Sequence, residues 1–208
     1  MRIPVAAEGW PFIFPPAILA CILAGTGWWI PAVLAALVAL AFLGFFRDPE
    51  RTGPGLPGAV LAPADGRVMG VAEVEDTWVG PAVRLSIFLS PLDVHVNRAP
   101  IGGLVRSVEL VAGIFRAAYK AEASEVNARC TVALEGDAAR VAVRQIAGVL
   151  ARRIVCRVRP GDKLRAGERY GLIRFGSRTD LLVPRATEVR VRVGDRVRGG
   201  ESIMGVLR

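Results

Sequence analysis

A Gly-Ser pair near the C-terminus, Gly176-Ser177, is the first candidate for chemistry in this chain. A serine hydroxyl can attack the carbonyl carbon of the residue before it and turn that amide into an ester. Elimination then releases the upstream chain as a carboxylate, and hydrolysis of the remaining dehydroalanine leaves a pyruvoyl group at position 177. Glycine at the attacked carbonyl relieves crowding and tolerates strained backbone angles. The pair is therefore a candidate self-cleavage site, and a plain turn is the alternative.

The self-cleavage reaction needs a base, and the candidate is His95, the only histidine in the chain. A hydroxyl is a weak nucleophile until a base removes its proton. A single histidine is more often structural than catalytic, but His95 lies between Pro91 and Pro100 in a pattern typical of a strand edge or loop, where functional groups are displayed. Asp65, whose Asp-Gly pair also suits a plain turn, is the carboxylate that would orient the imidazole. The candidate catalytic set is Asp65, His95 and Ser177.

The elements that must position these residues follow an apolar N-terminal segment. From Gly9 to Phe46 the chain has no Asp, Glu, Lys or Arg. A membrane-spanning helix needs about 20 apolar residues, and this segment is nearly twice as long, with a break at Gly25–Gly27. We predict two helices, 12–29 and 31–46, that form a membrane-anchoring hairpin within a domain of residues 1–50. Shallow insertion into one leaflet and a buried hairpin of a soluble fold are the alternatives.

Charge and cysteine content limit the partners. A net charge of +8 suits nucleic acid or an anionic membrane surface, and the apolar segment favours the membrane, so we expect no nucleic-acid partner. Arg2, Arg47 and Arg51 flank the segment, which predicts the cell inner membrane with the catalytic domain on its cytoplasmic side. The three cysteines have no metal-ligand spacing and are odd in number, so we expect reduced thiols, no metal and no disulfide framework.

The remainder, residues 51–208, predicts a mainly β (α+β) catalytic domain. Short apolar or alternating runs indicate strands at Val83–Leu89, Val132–Leu134, Val141–Val143 and Ile154–Val158. A helix is predicted around Gln145–Arg152, and residues 117–128 suit a helix or a loop. Gly161–Glu168 is echoed by Gly194–Glu201, and such repeated turns are typical of barrel-sandwich domains. Neither repeat has the lysine that a carrier domain needs.

Six segments, taken in order, resemble the short-form bacterial phosphatidylserine decarboxylases. They are Phe45–Pro49, Pro63–Val68, Phe88–Arg98, Ala123–Asn127, Gln145–Ile154 and Gly171–Arg178. The likeness covers nearly the whole chain, and the ordered set is far more specific than any single motif. The chain departs from many relatives at Glu122 and Ala128, where they carry Lys and Glu, which leaves the role of Glu122–Arg129 open.

The resemblance implies both an activity and a cofactor. It implies Asp65, His95 and Ser177 as the self-processing triad, with Ser177 as the precursor of a covalent pyruvoyl group that acts as an electron sink. Self-cleavage would give a β subunit of residues 1–176 and an α subunit of residues 177–208. The enzyme would convert phosphatidylserine in the bilayer to phosphatidylethanolamine and CO2, with His95 returning a proton to carbon.

Two other functions fit parts of the sequence. A non-enzymatic, membrane-anchored barrel-sandwich adaptor shares the apolar segment and the repeat, but it would not need the Asp, His and Gly-Ser set. A decarboxylase of another serine lipid, such as archaetidylserine, shares the headgroup chemistry, and the sequence does not separate it from the phosphatidylserine enzyme. The oligomeric state also stays open, with a homo-oligomer as one option.

Overall fold

The computed structural model describes residues 4–116, 126–148, 153–174 and 177–207 of the 208 in the chain. These residues fall into two compact units, Met1–Glu50 and Arg51–Arg208. The first unit is helical and the second is built of strands, so the mainly β fold with an N-terminal apolar helical hairpin is confirmed.

The N-terminal unit has a 3-10 turn at Ala7–Gly9 and two helices, α1 (Trp10–Gly25) and α2 (Trp29–Phe45). The two helices contact each other, with Phe12 against Phe42 at 5.6 Å between ring centroids. The segment Ala7–Gly25, with 19 residues, is long and apolar enough to cross a membrane, and Trp29–Phe45 is a shorter apolar helix.

The expected end of the first helix at residue 29 is wrong, because the helix ends at Gly25. The Thr26 hydroxyl donates back to the carbonyl oxygens of Ile22 and Leu23, and Gly27 adopts a φ of 82°, which a side chain would disfavour. The second helix begins two residues earlier than expected, since Pro31 lies in its first turn, where no intrahelical donor is lost.

The second unit contains fourteen strands among the described residues. They are β1 Ala59–Leu61, β2 Gly66–Asp76, β3 Gly80–Leu89, β4 Val96–Arg98, β5 Gly103–Val111, β6 Arg129–Glu135, β7 Arg140–Ile146, β8 Ile154–Cys156, β9 Lys163–Leu164, β10 Arg169–Ile173, β11 Ser177–Pro184, β12 Glu188–Val189, β13 Arg196–Val197 and β14 Ile203–Val206.

Most of these strands belong to one antiparallel sheet with the order β13-β2-β3-β11-β7-β6-β5-β9. Two sheets of three strands complete the unit, in the orders β1-β14-β12 and β4-β10-β8. Strand β11 lies inside the large sheet, paired with β3 on one side and β7 on the other, and seven of its eight residues are buried. A strand in this position is apolar along most of its length, so the polar residues at its start stand out.

The two halves of the sequence repeat form matching turns. In each, an aspartate carboxylate accepts from the backbone N–H three residues earlier, Asp162 from Arg159 and Asp195 from Arg192, at 2.8 Å in both. The short strands that follow, β9 and β13, pair with β5 and β2 at the two ends of the large sheet. The repeat is therefore a structural feature that supplies the short edge strand at each end of the sheet.

The four predicted strands are confirmed as β3, β6, β7 and β8, although β8 ends at Cys156 rather than at Val158. The helix expected from Gln145 is wrong at its start, because Gln145 and Ile146 finish β7 and pair with Cys130 and Arg129. Cross-strand pairing outweighs helix propensity there. Residues 149–152 of that expected helix, and residues 117–125 of the expected helix or loop, lie outside the described residues.

Candidate active site

Ser177 is the first residue of β11 and is fully buried. Its backbone lies opposite Leu89 of β3, and its neighbour Arg178 lies opposite both Phe88 and Ile146. Within the described part of the chain, the Ser177 hydroxyl has no hydrogen-bond partner. A buried hydroxyl is normally hydrogen-bonded, because leaving it unpaired lowers the stability of the fold. The unpaired Ser177 hydroxyl is therefore a candidate for a functional role. Gly176, the other half of the candidate cleavage site, lies outside the described residues.

His95 is buried just before β4. The backbone fixes it twice, because Ile173 N–H donates to the His95 carbonyl oxygen at 3.2 Å and the ring Nδ1 lies 2.9 Å from the Asp93 carbonyl oxygen. A carbonyl oxygen only accepts, so Nδ1 carries the proton of the neutral ring and Nε2 carries the lone pair. Nε2 is therefore the nitrogen that can act as a base.

The backbone conformation of the loop that carries His95 is fixed by a side chain of the loop itself. The Asp93 carboxylate accepts from the backbone N–H of Ser90 at 2.8 Å, which closes a tight turn directly after β3. Because β3 ends at Leu89 opposite Ser177, this turn lies beside the start of β11. His95 and Ser177 are thus at the same end of the large sheet.

Asp65 lies between β1 and β2, and its carboxylate is bound by Arg51 and by the backbone of Gly199. Arg51 donates through both terminal nitrogens, with Nη2 at 2.7 Å from Oδ2, and the Gly199 N–H donates to Oδ1 at 2.8 Å. The Arg51 side chain is itself almost buried. Among the described residues, the hydrogen bonds of the Asp65 carboxylate go to Arg51 and Gly199 and not to His95. The expected pairing of Asp65 with His95 therefore stays a prediction.

The Asp65 turn is nevertheless at the same sheet end as the other two residues. Val197 pairs with Gly66 and Arg67 pairs with Phe88, which places Gly66 level with the end of β3. A Cβ on Gly66 would lie 2.1 Å from the Phe88 carbonyl oxygen, so only glycine permits this approach. Two interstrand spacings, about 10 Å, separate this turn from the backbone of Ser177.

A buried chain of amide hydrogen bonds connects the strands around Ser177. Gln145 Nε2 donates to Asn97 Oδ1 at 2.7 Å, and Asn97 Nδ2 donates to the Thr179 hydroxyl at 3.2 Å and to the Pro63 carbonyl oxygen at 3.4 Å. Thr179 is two residues after Ser177 and therefore shares its face of β11. The network ties together the elements that carry His95, Asp65 and Ser177.

The opposite face of β11 holds a buried ion pair. Arg178 Nε donates to Asp180 Oδ1 at 2.6 Å, and Arg178 Nη2 donates to the Ser86 hydroxyl at 2.8 Å. Both partners of the pair are buried, so removal of either one would leave an uncompensated charge inside the protein. This pair anchors β11 to β3 immediately after Ser177.

Comparison with known proteins decides the family. A family model described as phosphatidylserine decarboxylase matches residues 38–205. The chain belongs to the phosphatidylserine decarboxylase family. A relative named phosphatidylserine decarboxylase proenzyme, from Symbiobacterium thermophilum, is 49% identical over 100% of this chain and 98% of its own length. Relatives with the same name from Nocardia farcinica and Geobacter sulfurreducens are 46% and 42% identical over 98% of this chain, and 88% and 97% of their own lengths.

Within this family member, the structure adds residues that the sequence did not single out. Asn97 and Gln145 are polar residues inside otherwise buried strands, and that pattern was a usable signal of a polar network. Arg51 was notable in the sequence only as a charge that flanks the apolar segment, and its neighbours gave no indication of an ion pair with Asp65. The sequence positions of Cys130 and Cys156 also do not indicate that these residues are neighbours, although their thiols share a hydrogen bond.

Proposed function

We propose that this chain is a self-processing, pyruvoyl-dependent decarboxylase that converts phosphatidylserine to phosphatidylethanolamine and CO2. Family membership supports the activity, since the relatives are named as phosphatidylserine decarboxylase proenzymes. The single observation in the fold that carries the proposal is the buried, unpaired hydroxyl of Ser177 at the sheet end that also holds His95. A non-enzymatic adaptor would have no use for this arrangement.

In the self-cleavage step, His95 Nε2 accepts the proton of the Ser177 hydroxyl as the oxygen attacks the carbonyl carbon of residue 176. The peptide C–N bond then breaks, the amine takes a proton and the chain is joined through an ester. A base then removes the Cα proton of residue 177, the Cβ–O bond breaks, and the carboxylate of the β subunit, residues 1–176, leaves. Water converts the resulting dehydroalanine to the pyruvoyl group with loss of ammonia. The Nδ1–H bond to the Asp93 carbonyl oxygen leaves the lone pair of the neutral ring on Nε2 before the attack and holds the ring in place afterwards.

We propose Asp65 as the carboxylate that stabilises the protonated imidazole, with Arg51 as the residue that holds it in place. The Arg51–Asp65 pair and the Gly199 N–H fix both carboxylate oxygens near the sheet end. Arg51 offsets much of the carboxylate charge, so this role requires the Asp65 oxygens to lie nearer the imidazole than the Arg51 guanidinium does. The effect is weaker than in a directly bonded triad.

The surroundings of Ser177 fit a pyruvoyl group at the start of the α subunit, residues 177–208. The position is fully buried and its oxygen has no partner among the described residues, so a ketone there would lose no hydrogen bond and would be shielded from bulk water. When present, such a group supplies an electron sink for decarboxylation. His95 is then the residue that would return a proton to carbon.

The N-terminal helices support membrane attachment, with the catalytic unit on the cytoplasmic side. The segment Ala7–Gly25, which contains the first helix, is long and apolar enough to cross a membrane, and Arg47 and Arg51 follow the second helix. Positive charges that flank apolar segments stay preferentially on the cytoplasmic side. An enzyme held there has its lipid substrate concentrated in two dimensions beside it.

Release of labelled CO2 tests the function. The purified chain, reconstituted in detergent with phosphatidylserine labelled in its carboxyl group, should release labelled CO2 and form phosphatidylethanolamine. Ser177→Ala is the control, because it has neither a nucleophile nor a pyruvoyl precursor. A correctly cleaved chain that released no CO2 from phosphatidylserine would overturn the substrate assignment, and archaetidylserine would be the next substrate to assay.

A further inference from the structure

Four large apolar side chains are exposed on the catalytic unit near the start of β11. Leu92 is 83% exposed in the turn after β3, and Ile114, Phe115 and Val126 are 47%, 41% and 37% exposed in the segments after β5 and before β6. Apolar side chains this large are usually scattered singly over a surface, whereas these four come from loops that leave the same sheet end.

Hydrogen bonds and register place these residues beside Ser177. Ile146 pairs with both Arg178 and Arg129, and the Ala147 N–H donates to the Ala128 carbonyl oxygen. The Ala128 N–H in turn donates to Ile114. A continuous row therefore runs across the sheet from Ser177 to Ile114, and its three interstrand spacings amount to about 14 Å.

Leu92 belongs to the same end. It follows Leu89 by three residues, and Leu89 is the strand partner of Ser177. The turn that presents Leu92 is the one closed by the Asp93 carboxylate on the Ser90 N–H. Leu92 is therefore held on a closed turn between the end of β3 and His95, and its exposure does not come from a loose chain end.

Arginines border this apolar group. Arg116 is exposed directly after Phe115, and its backbone N–H is held by the Asn127 side chain at 3.0 Å. Arg153 is also exposed, and its carbonyl oxygen accepts from Arg174 N–H next to His95. Asp93 is a half-buried acid in this region, with its carboxylate turned into its own loop. Exposed positive charge around apolar tips complements an anionic lipid surface.

We propose that Leu92, Ile114, Phe115 and Val126, with Arg116 and Arg153, form a second membrane contact through which the catalytic unit docks on an anionic bilayer. We call these six residues the docking surface. The apolar tips enter the headgroup region and the arginines bind lipid phosphates, which brings a lipid headgroup to the sheet end that holds Ser177. The proposal rests on the proposed function insofar as the substrate is a bilayer lipid.

The first test measures membrane contact without using catalysis. In a full-length chain with Ser177→Ala and Cys21→Ser, single substitutions Leu92→Cys and Phe115→Cys carry an environment-sensitive nitrobenzoxadiazole label. Val71→Cys is the matched control, since Val71 is 41% exposed but lies opposite Leu85, four residues along β3 from the Ser177 end. The chain without an introduced cysteine gives the background labelling of Cys130 and Cys156.

In vesicles of phosphatidylcholine and phosphatidylglycerol, labels at positions 92 and 115 should shift their emission to the blue and be quenched by spin-labelled lipid. The label at position 71 should keep the emission it has in water. Vesicles of phosphatidylcholine alone should give a smaller shift, because the arginines then lack an anionic partner. Emission at positions 92 and 115 equal to that at position 71 in both vesicles would overturn the proposal.

The second test uses the active chain. Phe115→Asp should lower the rate of decarboxylation of bilayer phosphatidylserine by about three- to tenfold, because the exposed part of the phenylalanine, 41% of the residue, no longer enters the bilayer. The rate on a dispersed short-chain phosphatidylserine should change little, and Val71→Asp should affect neither rate. An equal loss on both substrates would contradict docking. Absence of all activity in the unsubstituted chain would instead count against the proposed function, while the fluorescence result would stand by itself.

Discussion

Replacement of Asn97 by alanine tests whether the buried amide network positions the self-cleavage site. The substitution removes the acceptor of Gln145 Nε2, bonded at 2.7 Å, and the donor to the Thr179 hydroxyl, bonded at 3.2 Å. The bond to the Pro63 carbonyl oxygen, at 3.4 Å, is too long to contribute much. The Gln145 donor is then buried without a partner, which costs about 1–3 kcal/mol, and the Thr179 hydroxyl loses one bond of about 1 kcal/mol.

We therefore expect Asn97→Ala to reduce the free energy of unfolding by about 2–4 kcal/mol. We also expect self-cleavage to slow by at least about tenfold, because the network connects the strands that carry His95 and Ser177 and small misplacements of reacting groups are costly. Stability is measured by urea unfolding in a Ser177→Ala background, where no variant cleaves. Cleavage is followed on gels after cell-free synthesis of the chain with Ser177 intact.

Asp76→Ala is the matched control for this loss of stability. Asp76 pairs with Arg144 and accepts from the backbone N–H groups of Trp78 and Val79 at 2.9 and 3.0 Å, so its removal also costs a few bonds. It lies ten residues along β2 from Gly66, roughly 30 Å from the Ser177 end of the sheet. Asp76→Ala should be destabilised but should cleave at the normal rate. Equal cleavage rates in the two variants would refute a positioning role for Asn97.

Three further predictions concern single groups. His95→Ala should block self-cleavage and leave a folded, uncut chain on a gel, and normal cutting in that variant would exclude His95 as the base. Hydroxylamine should inactivate the mature enzyme by reaction with a ketone at position 177, whereas activity that survives the reagent would argue against a pyruvoyl group. The hydrogen bond from Cys130 lowers the pKa of Cys156 to about 7, and the same contact together with burial raises the pKa of Cys130. Because the thiolate is the reactive form, alkylation of Cys156 should rise as the pH passes through about 7, while Cys130 stays unmodified. Peptide mass spectrometry measures the alkylation of each cysteine, and faster modification of Cys130 than of Cys156 would contradict the prediction.

Local pattern predicted the elements of the fold that depend on neighbouring residues. The charge-free run predicted the helical pair through its length and apolar content, and the alternation in Val83–Leu89 predicted β3, because both are properties of consecutive residues. The repeat predicted matching turns, since Gly-Asp fixes the backbone locally. The end of α1 was misplaced because the hydroxyl of Thr26 and the left-handed Gly27 stop the helix earlier than hydropathy alone suggests.

The sequence did not predict which residues, distant from one another along the chain, form contacts in the fold. Gln145 was assigned to a helix, but it belongs to β7 because Cys130 on one side and Thr179 on the other pair with its backbone. The Arg51–Asp65 ion pair spans 14 residues, and the bond between Asn97 and Thr179 spans 82. No local pattern encodes such contacts, so the candidate residues were predictable by type while their partners were not.

The most direct test of self-processing is the intact mass of the purified chain. We predict two fragments, a large one that ends at Gly176 and a small one that begins at position 177. The small fragment should lack a free N-terminal amine and resist Edman sequencing, because a pyruvoyl group has no amine to react. A single uncut chain with a free N-terminus would contradict the account, as would a small fragment that begins with an ordinary serine.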